Sequence, residues 1–473
     1  MHLSAQQLDR AIGSVVASAA GDALGSQYEF GPSLADDVAI EFGVGRFGHA
    51  RGEWTDDTSM AMPILQALAR GDRLEAPEVL GGIVTEWREW SRTALDVGTQ
   101  TRSVLGRLHG EITEDAAVTA SRAVHDSSGR SGGNGSLMRT GPVALGYLER
   151  DQADLVAAAG RVARLTHWED DNADACALWC LAVRHAILTG ELDVRAQVAW
   201  LPAGRRARWT ALIDQALAPE THPRDFAADN GWVVRAFQAA LSAVAGATTL
   251  VDALERAVRG GNDTDTVAAI AGSLAGAIHG VSAVPLAWRR LVHGWPGLRA
   301  DDLVRLAALA ARDGRSDAEG WPAAERAAGY SRSDYLFPHP HDPGVLIGSI
   351  AALDRLPASV HAVVSLCRVG TAQVPTAAES VQVWLIDKPD RNPNLDFVLR
   401  EAADAVATLR AEGKTVFVHC AEGRSRTSAV AALYGARHRG VPLAQAWSDI
   451  EATLPGFAPA AFLRDAVERI AAT

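Results

Sequence analysis

Cysteine is scarce in this 473-residue chain, with only Cys176, Cys180, Cys367 and Cys420. Four scattered thiols cannot build a disulfide framework, and they suit a reducing cytosol. Basic residues also fall short, 45 against 57 acids, for a formal charge of −12. No basic run and no interleaving of basic with aromatic residues offsets this. A general binder of nucleic acid or of a membrane surface is therefore disfavoured, because phosphate backbones need a basic face. Nucleic acid is left only as a modified substrate. Long apolar runs are missing too, and nothing reaches the ~18 residues that span a bilayer. The early segment "AIGSVVASAAGDALG" has the apolar stretch of an export signal. Asp9 and Arg10 stand where a positive cluster belongs, however, and Asp22 interrupts the run. A cytoplasmic location is expected.

A chain of this length predicts two or three domains. Residues 1 to about 310 carry Ala- and Leu-rich stretches at helical spacing, among them 9–24, 57–70, 151–165, 173–189, 232–244, 250–258 and 265–279. The stretch 310–344 is rich in charge, Gly and Pro. After it come short β-type runs, "VLIGSI", "VHAVVSL", "VQVWLID" and "TVFVHC", with helical patterns at 397–411 and 427–438. The spacing predicts an all-α domain over 1–312, a linker over 313–335, and an α/β domain over 336–473 with a small, mainly parallel sheet.

The segment "GGNDTDTVAAIAG" (260–272) crowds oxygen-bearing side chains at the mouth of an apolar helix. Asn, Asp and Thr are ordinary helix caps, and carboxylates suit a helix N-terminus. Alternatively Asp263 and Asp265, two apart, converge on a hard cation, which takes carboxylate and hydroxyl oxygens. "EWTDDTSMAM" (53–62) repeats the grammar with Thr55, Asp56 and Asp57. Two such acidic entrances repel each other unless they lie far apart or a cation sits between them. Three further segments have the look of substrate contacts: "GDALGSQYEF" with Glu29, the Gly-rich turn "SGGNGSLMRT", and "LTH" with His167. Each is weak alone, since a Gly-rich turn is usually just a turn and a lone His usually structural.

In this order, over residues 8 to 290, these segments resemble the ADP-ribosylglycohydrolase family. The resemblance implies an all-α fold with two divalent cations, Mg²⁺ or Mn²⁺, and an ADP-ribosylated protein or other ADP-ribosylated substrate. It implies Thr55, Asp56, Asp57, Asp263, Asp265 and Thr266 as metal ligands, with Glu29 as the acid beside them. Asn134, Gly135 and Ser136 match the turn that holds ADP-ribose, and His167 a ribose contact. Two departures stand out. Asn262 is inserted before the first Asp of the second metal motif, and a run of three acids, Glu169 to Asp171, follows His167 in "LTHWEDDNADAC". Cys176 and Cys180, one helical turn apart, are expected in the core.

"VFVHCAEGRSRTSAV" (416–430) reads as strand, loop and helix. N–H groups of loop residues Glu422, Gly423, Arg424 and Ser425, with the helix N-terminus, favour an anion and lower a thiol pKa. A Cys420 thiolate is then a nucleophile for phosphorus, Arg426 can grip two phosphate oxygens, and Thr427 can donate to the sulfur. The run resembles the H-C-x-x-G-x-x-R-[ST] signature of cysteine-dependent phosphatases, most like the compact dual-specificity class. That resemblance implies a strand-end Asp as general acid, Asp387 or alternatively Asp390, and a phosphorylated substrate. The chain is thus expected to be a bifunctional hydrolase of ADP-ribosyl and phosphate-monoester bonds. In the rival reading, one half is active and the other is a binding domain for ADP-ribosyl or phosphoryl groups.

Overall fold

A computed structural model describes residues 3–327 and 334–472. The chain forms two compact units, Met1–Val284 with Leu291–Arg315, and Pro285–Arg290 with Ser316–Thr473. Of the stretch expected as linker, residues 316–327 fold into the second unit, where Trp321 is buried and the Arg368 guanidinium lies 4.2 Å from its ring centre. Residues 328–333 of that stretch lie outside the described residues.

The first unit is helical apart from one short antiparallel pair, His293–Gly294 with Leu298–Arg299. Its centre is the helix Ala5–Gly25, opened by a capping box between Ser4 and Gln7. Ala5–Gly25 runs antiparallel against Thr264–His279, the helix that follows the "NDTD" loop. Both are rich in Ala and Gly because their backbones nearly touch. A Cβ on Gly276 would come 2.1 Å from the Gly13 carbonyl oxygen, and one on Gly25 would come 2.5 Å from Asp265 Cα. This close approach sets the C-terminal end of one helix, with Asp22, beside the N-terminal end of the other, with Asp265. A third helix, Asp56–Arg70, starts at the same place, because the Thr55 and Thr58 N–H groups both donate to the Asp22 carboxylate at 2.9 Å.

The second unit holds a five-stranded mixed sheet in the spatial order Leu336–His339, Asp342–Ser349, Val416–Cys420, Ala362–Ser365, Glu379–Gln382. The first pairing is antiparallel and the others parallel. Period-two alternation sends Val416 and Val418 to one apolar core and Phe417 to the other. Helices Leu395–Ala411 and Arg426–Arg439 pack on the Val418 side. The run expected as strand at 381–387 is a strand only over Glu379–Gln382, so Asp387 stands beyond the sheet in irregular backbone. Among the described residues no helix is long and apolar enough to cross a membrane.

Candidate functional site

Where the three helix ends of the first unit meet, carboxylates gather in two groups that share one member. Ligand atoms of Asp22, Asp57 and Asp265 lie within 4.8 Å of one another, as do those of Glu29, Asp263 and Asp265. Thr55 joins them: its hydroxyl donates to Asp22 Oδ1 at 2.8 Å and lies 3.0 Å from Asp57 Oδ2 and 3.4 Å from Asp265 Oδ2. Asp56 is also buried and accepts from the Gly98 N–H at 3.3 Å. Thr266 lines the cleft beside Asp263 and Asp265.

Among the described residues no basic side chain pairs with these acids, and the electrostatics show the strain. Burial first, then Asp263 and the other neighbouring carboxylates, pushes Glu29 up to about 9. Burial, followed by Asp96 and Asp22, pushes Asp56 up to about 8. Burial likewise drives Asp57 and Asp265 well above the carboxylate range, ahead of repulsion from Asp22 and from Asp57 respectively. Glu29 Oε2 and Asp57 Oδ1 are buried without any hydrogen-bond partner. Such oxygens are costly unless something supplies positive charge, and this donor set is the one a hard divalent cation takes.

Above the carboxylates lies a cleft of about 540 Å³ lined by Asn134, Gly135, His167 and Gly231 at one side and by Phe30 and Phe47 at the other. Its turn is fixed by a network that sequence reasoning missed, centred on the buried Asn230. Asn134 Nδ2 donates to the Asn230 carbonyl at 2.9 Å and to Asp263 Oδ2 at 2.7 Å. Asn230 Oδ1 accepts from Asn262 Nδ2 at 2.8 Å and from the Asp263 N–H at 3.2 Å. His167 is buried, and burial, then Arg139, holds it neutral, well below its usual range. Arg139 donates to the Thr166 hydroxyl at 2.6 Å, and that oxygen lies 2.7 Å from His167 Nδ1. The hydroxyl proton then points at Nδ1, which assigns the ring hydrogen to Nε2, on the side of Gly133 and Gly135. Ser136 is a correction. It is fully buried behind the turn, its hydroxyl taken by Asn172 Nδ2 at 2.8 Å, and does not line the cleft.

In the second unit Cys420 ends the strand Val416–Cys420 and Arg426 begins the helix Arg426–Arg439. The intervening loop turns at Gly423, whose φ of +72° and close contact with the Gly348 carbonyl suit only glycine. Among the described residues the N–H groups of 423–426 donate to no protein acceptor, which leaves them for an anion. Arg426 Nη1 donates to the Leu366 and Leu385 carbonyls at 2.7 and 3.0 Å. Asp387 reaches the loop despite its irregular backbone: it accepts from the Ser425 hydroxyl at 2.8 Å and sits 3.6 Å from Arg426 Nε. Asp390 is exposed. Two expectations change. Thr427 donates to the Gly348 carbonyl at 3.2 Å rather than to the sulfur. The Arg424 side chain turns away to the Gly456 carbonyl at 2.7 Å, so it contributes only backbone. Glu422 is half-buried in the loop.

Residues 3–319 match the sequence model of ADP-ribosylglycohydrolase. The chain belongs to that family. It is 33% identical over 287 residues to the ADP-ribosylarginine hydrolase Tri1 of Pseudomonas putida, covering 60% of this chain and 74% of that one. It is 30% identical over 294 residues to the ADP-ribosyl-[dinitrogen reductase] glycohydrolase of Rhodospirillum rubrum, covering 59% and 89%. Among solved structures, human DUSP28 aligns with 29% of this chain and 93% of its own, at 24% identity and a TM-score of 0.27.

Within this ADP-ribosylglycohydrolase, two local sequence features have a structural role beside the site. The inserted Asn262 has φ +60° and exchanges backbone hydrogen bonds with the Glu29 segment, Phe30 N–H to Asn262 O at 2.6 Å and Asn262 N–H to Gly31 O at 2.8 Å. It ties Glu29 to the Asp263–Asp265 loop. The acids after His167 are structural: Glu169 accepts from the Ser131 N–H at 2.5 Å, Asp170 pairs with Arg164, and Asp171 pairs with Arg205 and Arg208. Asp22 and Asp96, both beside the cluster, were not selected from sequence. Cys176 and Cys180 are free and buried.

Proposed function

We propose that the first unit hydrolyses ADP-ribosylated substrates with two divalent cations, and that the second hydrolyses phosphate monoesters through a phosphocysteine. The observation that carries the first half is the pair of carboxylate triads sharing Asp265 beneath a cleft. Asp22, Asp57 and Asp265 would hold one cation and Glu29, Asp263 and Asp265 the other, with Thr55, Asp56 and Thr266 at hand. The cations, Mg²⁺ or Mn²⁺, would polarise the ribose hydroxyls and the attacking water.

The protein's own groups do the rest. The Gly133–Gly135 turn and the His167 Nε2–H orient the ADP-ribose, with Asn134 held rigid by Asp263 and Asn230. Glu29, at the mouth, takes a proton from water as its oxygen bonds to C1″. The C1″ bond to the leaving group breaks, and Glu29 returns that proton to the leaving atom. Relatives whose names specify ADP-ribosylarginine and ADP-ribosyl-dinitrogen reductase favour a protein-linked substrate.

In the second unit the Cys420 sulfur would attack phosphorus while Asp387 protonates the departing oxygen. Water then cleaves the S–P bond. The support is the loop of unpaired N–H groups with Asp387 and Arg426 at its mouth. The test of both halves is a panel of ADP-ribosylated substrates assayed for free ADP-ribose with and without EDTA, alongside an aryl phosphate. Full ADP-ribose release in EDTA would refute the cation reading, and no aryl phosphate turnover would refute the phosphatase reading.

A further inference from the structure

In the second unit the acid of the proposed phosphatase reaction stands where the sheet has run out. The pairing of Ala362–Ser365 with Glu379–Gln382 ends at Ser365 and Gln382. One more rung follows, the Val383 N–H donating to the Ser365 carbonyl at 2.9 Å, and Asp387 comes after it. Irregular backbone cannot place a carboxyl by itself, because its amide groups need partners as much as those of a strand do. Here side chains supply them. The Leu385 carbonyl accepts from Arg426 Nη1 at 3.0 Å. The Ile386 N–H donates to Asn392 Oδ1 at 2.8 Å, and Asn392 Nδ2 donates back to the Ile386 carbonyl at 2.8 Å.

Those two bonds are the reciprocal pair that facing residues of an antiparallel ladder exchange. A carboxamide carries the donor and acceptor of a peptide group, so Asn392 replaces a strand for the length of one residue. Its Nδ2 also reaches the Lys388 carbonyl at 3.4 Å, and the bonds of Asn392 thus bracket Asp387 from both sides. The carboxyl itself is turned by Ser425. That hydroxyl accepts the Ala460 N–H at 3.2 Å and sends its own hydrogen to Asp387 Oδ1 at 2.8 Å. The acid's proton is left for Oδ2, which stands 3.6 Å from Arg426 Nε, on the side where the phosphate would be held.

We propose that Asn392 is a positioning residue, a substitute for the missing strand that holds Asp387 in reach of the departing oxygen. The inference rests on reading the second unit as a phosphatase, and two arms of one experiment on the full chain keep the two apart. The first arm measures kcat/KM for an aryl and an alkyl phosphate in the intact protein, in Asn392→Ala, in Asp387→Asn and in the double variant. An alkoxide leaves only with a proton, whereas a nitrophenolate needs little help. Asn392→Ala should therefore lose about tenfold to hundredfold on the alkyl phosphate, the cost of an acid displaced by about 1 Å, and less than about threefold on the aryl phosphate. In the Asp387→Asn background the same change should cost less than about twofold, since no acid is left to position. Equal losses on both substrates, no loss on either, or a full further loss in the double variant would overturn the proposal. The second arm needs no turnover. Asn392→Ala should speed amide hydrogen exchange at Ile386 at least about tenfold and leave the strand Val416–Cys420 protected. Faster exchange with no phosphate-monoester turnover in the intact protein would refute the phosphatase reading and leave the Asn392 clamp standing. Turnover with unchanged exchange at Ile386 would refute the clamp alone.

Discussion

Replacing Asp56 by asparagine is expected to stabilise the metal-free protein while abolishing ADP-ribose release. Asp56 is 8% exposed, and its carboxyl is raised from 3.8 to about 8 by burial, then by Asp96 and Asp22. The folded state thus holds this proton more tightly than the unfolded state does. Its stabilising effect is complete below pH 3.8 and is lost as pH climbs toward 8. From 3.8 to neutrality is roughly 3 pH units, on the order of 4 kcal/mol at 1.36 kcal/mol per unit. Asparagine carries no charge, and its oxygen still accepts the Gly98 N–H that Asp56 holds at 3.3 Å. The variant should therefore gain about 2–4 kcal/mol at pH 7 in EDTA, with the gain shrinking toward pH 5. Calorimetric unfolding at both pH values measures this, and Mg²⁺ should then stabilise the natural protein more than the variant. A variant less stable than the natural protein in EDTA at pH 7, or a gain that grows at pH 5, would refute the reasoning.

Glu29→Gln should cut ADP-ribose release by roughly 10²–10⁴-fold, the usual worth of a general base, while calorimetric binding of free ADP-ribose stays within a few-fold. Asn230→Ala should destabilise by about 1–3 kcal/mol through unsatisfied buried partners, and in chemical denaturation lower the midpoint without changing the slope. Cys420→Ser should remove aryl phosphate hydrolysis and leave ADP-ribose release intact. Asp387→Asn should slow an alkyl phosphate more than an aryl phosphate, whose leaving group needs little protonation; equal slowing would show that Asp387 is not the acid.

The helices and the metal-loop carboxylates were legible because their signals are local: helical spacing, small-residue faces and Asp or Thr at a helix mouth. Asp22 was not. A carboxylate inside an Ala-rich helix announces nothing until the partner helix brings Asp57 and Asp265 to it. Hydroxyl directions were equally hidden, since whether Ser136 or Thr427 faces a ligand depends on Asn172 and the Gly348 carbonyl, both distant in sequence. The strand Leu336–His339 falls inside the expected α/β domain but carries no strand signal of its own, because it contains Pro338. It is tolerated because it is the edge of the sheet, paired on one side only, where a missing N–H breaks no ladder.

Both candidate sites use the same element, the positive N-terminal end of a helix, with opposite results. Helices Asp56–Arg70 and Thr264–His279 fill that end with their own carboxylates, Asp56 and Asp57 on one and Asp265 on the other. The helix field offsets one such charge in part, but here the ends converge and Glu29, Asp22 and Asp263 add to them. The sum is negative enough to reverse the site's preference from anion to cation. Helix Arg426–Arg439 has no acid in its first turn, and the loop before it leaves its N–H groups bare, so its end keeps the anion preference. Placing an acid there should therefore convert the second site as the first was converted. Thr427→Asp, one residue into the helix, should abolish binding of vanadate or phosphate, whereas Thr427→Ser should retain it. Equal anion affinity in both variants, measured by calorimetry, would show that the helix end does not set the site's charge preference.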